Sequence, residues 1–366
     1  MKKNTLAPHS DLFRWGLMSK YRGELFGFSI LWIMFFHSGP FRGISHNPAL
    51  LHFLPYKGWI RIGSVGVDSF LFLSGMGLYY AMERHPTLPQ FYGKRLKRIL
   101  IPYLIIGTPY WLFRDVAIKN APELLPFDIS LCSFYSQGNA TFWYIGLILP
   151  LYLLAPFFLW LFRTRARKFF LYFWFFFWIV IDVSVALHFP EKYVQIGRAL
   201  TRVFIFILGC YFGPIIRENR PMNRRWLPLS ILVIASRGLV FYLSNTYVAE
   251  PMNWICNRLW YNAAGLSICV LISLLLELRQ SMAWNRFLAF LGSISLELYL
   301  SHIAFRNTVK LLYHKTIPDW STLQSIDLYL TLLLLAVGVS ALFHLIQASI
   351  ERSLVQRRGR RKELTP

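Results

Sequence analysis

Four titratable side chains, His37, Asp68, Asp182 and His302, lie inside long apolar runs of the chain. Ionisable groups are expensive in hydrocarbon, so each is expected to face a polar interior and to serve a function there. Histidine takes and gives a proton near neutral pH, which is what removing a hydroxyl proton requires. An aspartate beside it fixes the ring tautomer and stabilises the imidazolium that forms. His37 stands 15 residues beyond Arg22, about 22 Å along a helix. Asp68 stands seven residues past Arg61, about 10 Å down the next run. Both therefore sit in the outer half of a bilayer core about 30 Å thick. The same count brings Asp182 and His302 to a similar depth, which makes a shared site the expectation. The plainer readings are an interfacial His37 bonded to a carbonyl, an Asp68 bonded to backbone near Gly63 or Gly66, and a core-satisfied His302.

Other residues extend the pattern. Arg95 and Arg98 are three apart in FYGKRLKRILIPYL, so they share a helix face and can grip one anionic group. The alternative is a topogenic cluster with Lys94 and Lys97. Ser295, Tyr299 and His302 follow i, i+4, i+7 spacing and lie on one face. Tyr299 or Ser74 is a candidate donor to a developing oxyanion. Trp143 reads first as an interfacial anchor, and its ring also suits a sugar face. Asp182 is expected to pair with Arg202, which begins the following run.

The elements that must hold these groups are membrane helices. Of 366 residues, 55% are hydrophobic and 17% aromatic, far above the usage of soluble domains. Ten apolar runs, near 24–40, 62–82, 99–117, 141–162, 169–189, 199–216, 226–246, 259–278, 287–305 and 326–350, approach the ~20 residues that cross a bilayer. Alternate connections divide the basic residues unequally: 26 of the 39 Lys and Arg fall on the side of the termini and about 10 on the other. By the positive-inside rule both termini are expected in the cytoplasm. The net charge of +22 sits in short clusters between apolar runs, which argues against nucleic acid. The expected fold is an all-α membrane protein of about ten spans. A cytoplasmic segment at 1–23 leads into one transmembrane domain at 24–350 and a basic tail at 351–366. No removable signal is expected. The four cysteines show no CxxC spacing, and Cys132 and Cys256, assigned to outer loops, leave a disulfide open. No P-loop or GxGxxG fingerprint is present.

The order of motifs then resembles a known family. A first span ending in His37, GVDSFLFLSG (66–75), KRLKRILIPY (94–103), FWYI with LYLLAP (142–156) and LGSISLELYLSH (291–302) resemble the acyltransferase 3 family from about residue 20 to 350. The resemblance implies a ten-span acyltransferase that uses acyl-CoA, usually acetyl-CoA, to O-acylate glycans and other envelope molecules. It implies a multi-pass protein of the cytoplasmic (inner) membrane, with no metal and no tightly bound cofactor. His37 matches the family's essential histidine, and Arg95 and Arg98 match its Arg-x-x-Arg motif on the CoA side. Many members carry Arg eleven residues before the histidine; here that residue is Phe26, and Arg22, one turn earlier, is the expected substitute. Asp68 would orient His37 as general base, with a covalent acyl-His37 relay as the other route. The rival class is a transporter or flippase of a lipid-linked sugar, whose inverted repeats are not evident here.

Overall fold

The computed structural model describes residues 12–37, 61–85, 87–250, 252–313, 331 and 333–346. The first eleven residues, the connection at 38–60, most of 314–332 and the basic tail lie outside the described residues, so the expectations made for them are not addressed. Among the described residues there is no strand, only one antiparallel bridge between Arg14 and Pro221. The principal helices are α1 (Arg22–His37), α2 (Val65–Arg84), α3 (Leu88–Trp111), α4 (Trp143–Leu161), α5 (Arg167–His188), α6 (Pro190–Leu200) and α7 (Val203–Arg217). They are followed by α8 (Trp226–Ala235), α9 (Arg237–Tyr247), α10 (Met252–Arg279), α11 (Met282–Ser293) and α12 (Ser295–Tyr313). A last apolar helix, α13, covers Leu333–Ile346.

Among the described residues, five helical stretches are long and apolar enough to cross a membrane, and up to seven if each of two bent pairs is one span. The sequence led us to expect ten. The difference has local causes. In α3, Lys94, Arg95, Lys97 and Arg98 precede the apolar half, while α1 and α13 are bounded by the edges of the described residues at His37 and Ile346. The expected spans at 226–246 and 287–305 are not continuous helices. Helices α8 and α9 meet at 50°, and α11 and α12 at 68°. At each break a serine hydroxyl donates back to its own helix, Ser236 to the Val233 carbonyl at 2.8 Å and Ser293 to the Phe290 carbonyl at 2.7 Å. Such bonds compete with the backbone ladder and bend helices.

Burial sorts the helices into centre and rim. In Ile62–Arg84 the apolar window is 78% buried, whereas in α5 only 17% is. Helix α5 shows Phe169, Tyr172, Phe173, Phe176 and Val180 to the outside, as a lipid-facing helix should. Small residues set the closest central contacts. A Cβ at Gly27 would stand 1.9 Å from the Leu288 carbonyl oxygen, and one at Gly292 1.9 Å from that of Gly23. Helices α1 and α11 thus touch backbone to backbone, the close approach that small residues permit in membrane helices. Helices α2 and α7 do the same through Gly75 and Gly209. This packing holds α1 and α2 rigidly against the helices that complete the site.

Candidate active site

Two cavities open on α1 from opposite ends, and their walls meet. The first, about 220 Å³, is lined by Arg22 and Phe26 of α1, Phe70 and Ser74 of α2, Arg95 and Arg98 of α3, Tyr144 and Tyr152 of α4, and Ser295 and Tyr299 of α12. The i, i+3 pair Arg95 and Arg98 therefore points into one space together with Arg22. Lys94 and Lys97 do not line it. Arg22 lies over the Phe26 ring at 4.9 Å. Its Nη2 occupies the place where a Cβ on Gly77 would stand, 2.4 Å away. The Nε atoms of Arg22 and Arg95 are buried without a hydrogen-bond partner, and no carboxylate lines the cavity among the described residues. Three guanidiniums that share one cavity have the chemistry to hold an anionic group. The remaining wall is apolar and aromatic.

The second cavity, about 650 Å³, holds His37, Thr141, Trp143, Trp254, Arg198, Arg202, Arg258, Arg306 and Lys310 among its lining. Only Ile33, Val67 and Tyr299 belong to both cavities. Tyr299 is 6% exposed and its hydroxyl is buried with no hydrogen-bond partner. An unmet hydroxyl is costly inside a protein, and Tyr299 thus carries a donor to spare in the lining of both cavities. Its ring lies against Tyr144 at 5.4 Å and against His302 at 5.9 Å.

The depth match of His37 and His302 becomes a direct contact. Nδ1 of His37 and Nε2 of His302 are 3.1 Å apart, and Nδ1 of His302 is 2.8 Å from the Leu298 carbonyl oxygen. A carbonyl only accepts, so the proton of neutral His302 is on Nδ1 and its Nε2 carries a lone pair. Nδ1 of His37 must then donate to that lone pair, which leaves Nε2 as the basic nitrogen of His37. The continuous-helix count used to set the depth of His302 is itself corrected by the 68° bend before α12; the two rings meet through the side-by-side packing of α1 and α12.

The aspartates do not take the places expected of them. Asp68 is fully buried and pairs with Arg202, Oδ1 to Nε 3.4 Å, so the group that holds the His37 ring is His302. Depth gives height in the bilayer but not direction around the helix, and α2 turns Asp68 toward α10 and Arg202. Arg202 also donates through Nη1 to the Arg198 carbonyl at 2.7 Å, and its guanidinium lies 5.1 Å from the Trp143 ring. Asp182, expected to pair with Arg202, instead accepts from the Tyr193 hydroxyl at 3.3 Å. It lines neither cavity. Cys132 and Cys256 are free thiols and begin or occupy helices rather than loops.

Sequence reasoning missed Arg198, Arg258, Arg306 and Lys310 as site residues. A signal existed for two of them: from His302, steps of four and eight along α12 reach Arg306 and Lys310 on the same face. Tyr144, next to the expected anchor Trp143, is buried beside Tyr299.

Comparison with known proteins agrees with this architecture. The profile of the acyltransferase 3 family, described as an acyltransferase domain, matches residues 27–345. No curated protein and no solved structure matches the chain. The matched stretch runs from within α1 into the described α13 and takes in the lining of both cavities except Arg22, Gly23 and Phe26. A helical, multi-pass membrane protein matched over nearly its whole length by that profile, the chain belongs to the acyltransferase 3 family of membrane acyltransferases.

Proposed function

We propose that the protein moves an acetyl group from cytoplasmic acetyl-CoA to a hydroxyl of an extracytoplasmic glycan or other envelope molecule. The topology that goes with this reading has ten spans in the cytoplasmic membrane and both termini inside. The observation that carries it is the shared wall. A cavity with three guanidiniums and a chamber with a hydrogen-bonded histidine pair share Ile33, Val67 and Tyr299 in their linings.

The CoA phosphates would sit at Arg22, Arg95 and Arg98, where guanidinium forks match phosphate oxygens. The flexible thioester arm would lie in the apolar slot and bring its carbonyl to Tyr299. The acceptor hydroxyl would enter the His37 chamber, with Trp143 offering a ring face to the sugar. As its oxygen attacks the thioester carbon, its proton passes to Nε2 of His37. His302 accepts from Nδ1 throughout, which keeps His37 in the productive tautomer and stabilises the imidazolium that forms. The tetrahedral oxyanion accepts a hydrogen bond from Tyr299. The carbon–sulfur bond then breaks, and the departing CoA thiolate takes the proton from His37. Ser74 lines the donor slot and would contact the arm.

The test uses membranes from cells expressing wild type or His37→Ala, supplied with acetyl-labelled acetyl-CoA, with label followed into envelope glycan. The expected result is label with wild type and a loss on the order of 10²–10⁴-fold in the variant, with CoA binding retained. Equal labelling by both would remove His37 from the chemistry. Purified wild type that neither binds CoA nor transfers label would turn the reading toward a sugar transporter.

A further inference from the structure

Asp182 is buried and lines neither cavity, and the transfer reaction leaves it unused. A carboxylate within a membrane helix is expensive, which asks what it holds in place. Its Oδ2 accepts from the Tyr193 hydroxyl at 3.3 Å, and the charge that faces it is the Arg258 guanidinium. Tyr193, on α6, is 3% exposed and packs with Ala186 of α5 and Ile255 of α10. Gly197, one turn further along α6, makes room for the ring, since a Cβ there would stand 3.2 Å from Cε1 of Tyr193. A bond at its hydroxyl and packing around its ring leave Tyr193 little freedom. Against it lies Trp254 of α10, the two rings parallel within 7° and their centroids 6.0 Å apart, an offset stack of the kind aromatic pairs prefer. Trp254 is 37% exposed and lines the His37 chamber. Asp182, Tyr193 and Trp254 thus lead in that order from the buried side of α5 to the chamber wall.

On the topology proposed above, the plainer role for Trp254 is an interfacial anchor. An anchor needs only a lipid headgroup beside it. A second ring stacked on it and tied to a buried carboxylate adds nothing to anchoring and fixes the angle of the indole. Trp143, the other indole of the chamber, already has the Arg202 guanidinium 5.1 Å from its ring. Trp254 is backed by Tyr193 and keeps part of its surface open to the chamber.

We infer that Trp254 is the platform on which the acceptor's sugar ring seats. The C–H face of a pyranose is slightly positive and packs on the negative face of an indole, which leaves the hydroxyl edge of the sugar to face His37. A platform whose angle is fixed by Tyr193 and Asp182 governs which hydroxyl comes within reach of the base, because transfer depends on near-attack geometry. Trp254 is then a specificity-determining residue, and Tyr193 and Asp182 are positioning residues behind it. The inference rests on the acyltransferase reading for what becomes of the bound ring.

The test uses the purified full-length protein saturated with CoA. The methyl glycosides of glucose, galactose and N-acetylglucosamine, with glycerol as the acyclic control, are titrated while tryptophan emission is followed. At least one glycoside is expected to bind with a change in emission, and glycerol to give none. Trp254→Leu should remove that change and weaken binding roughly tenfold, whereas Trp254→Phe, which keeps a ring face, should stay within about threefold of wild type. If Trp254→Leu does not fold, Trp254→Met takes its place. In transfer assays the same loss should appear in the KM for acceptor and leave the KM for acetyl-CoA unchanged. Binding by none of the glycosides, equal binding by wild type and Trp254→Leu, or equal losses in the Leu and Phe variants would each overturn the inference. Sugar binding that depends on Trp254 without any acetyl transfer would sink the acyltransferase reading and leave the platform standing. Transfer with an acceptor KM indifferent to Trp254 would do the reverse.

Discussion

The cavity at Arg22, Arg95 and Arg98 and the chamber at His37 are both basic, yet they are built differently. The first is about a third the volume of the second, and its guanidiniums stand at one end of a slot with apolar and aromatic walls. The second carries its charge around a larger space with two indole rings and His37 of the histidine pair. Sign of charge alone does not tell them apart. Size and the groups on the wall do, because a smaller space with clustered guanidiniums suits a flexible arm with an anionic head, and a larger one with indole rings and a histidine suits a ring with several hydroxyls.

Four substitutions press on that contrast, each on a different part. Tyr299→Phe touches the wall common to both and should do the most. The loss of one oxyanion donor lowers kcat on the order of 10²–10³-fold, with the KM for acetyl-CoA little changed. A fall confined to KM would make Tyr299 a packing residue. Arg95→Gln belongs to the slot alone. Removing a charge-assisted bond should raise the KM for acetyl-CoA roughly 10- to 100-fold while kcat holds, and an effect on the acceptor KM instead would dissolve the division into donor and acceptor sides.

His302→Leu belongs to the chamber and acts through His37. Steady-state rates across pH should show kcat/KM down about tenfold with an altered pH profile. His302→Gln, whose side-chain oxygen still accepts from Nδ1 of His37, should recover most of the loss. Equal defects in both variants would mean that His302 only fills space. The mildest change is Gly77→Ala. The three atoms nearest its Cβ all belong to the end of the Arg22 side chain, so the fold should keep its melting temperature. Arg22 must shift, and the KM for acetyl-CoA should rise a few-fold. An unchanged KM would take Arg22 out of the donor site.

Much of this was readable from residue order because a bilayer constrains helices in one dimension. Apolar length located the helices, whereas the rise-per-residue count named His37 and His302 together but rested for His302 on a continuous helix that the 68° bend breaks. Spacing of three put Arg95 and Arg98 on one face, where the cavity lies. What escaped was rotation about each helix and the bends between helices. Asp68 was at the right height and turned toward Arg202. The serine-bonded breaks before Arg237 and Ser295 leave no mark in hydropathy, since Ser236 and Ser293 are tolerated within apolar runs. Arg258 and Arg306 read as loop charges because α10 and α12 run on past the apolar stretches that signalled them.

The thin wall of Ile33, Val67 and Tyr299 also bears on the energetics of the cell that houses the enzyme. On the proposed topology, cavities reach it from the cytoplasm and from the outside, so nearly the whole membrane voltage would fall across those three side chains. Two aliphatic residues and one buried aromatic ring are then the insulator. They would let a thioester carbon be attacked from the far side while denying protons a continuous wet route inward. An enzyme that transfers a group through a membrane must bring two solutions almost into contact without letting them short-circuit, and this wall is where the protein would meet that demand.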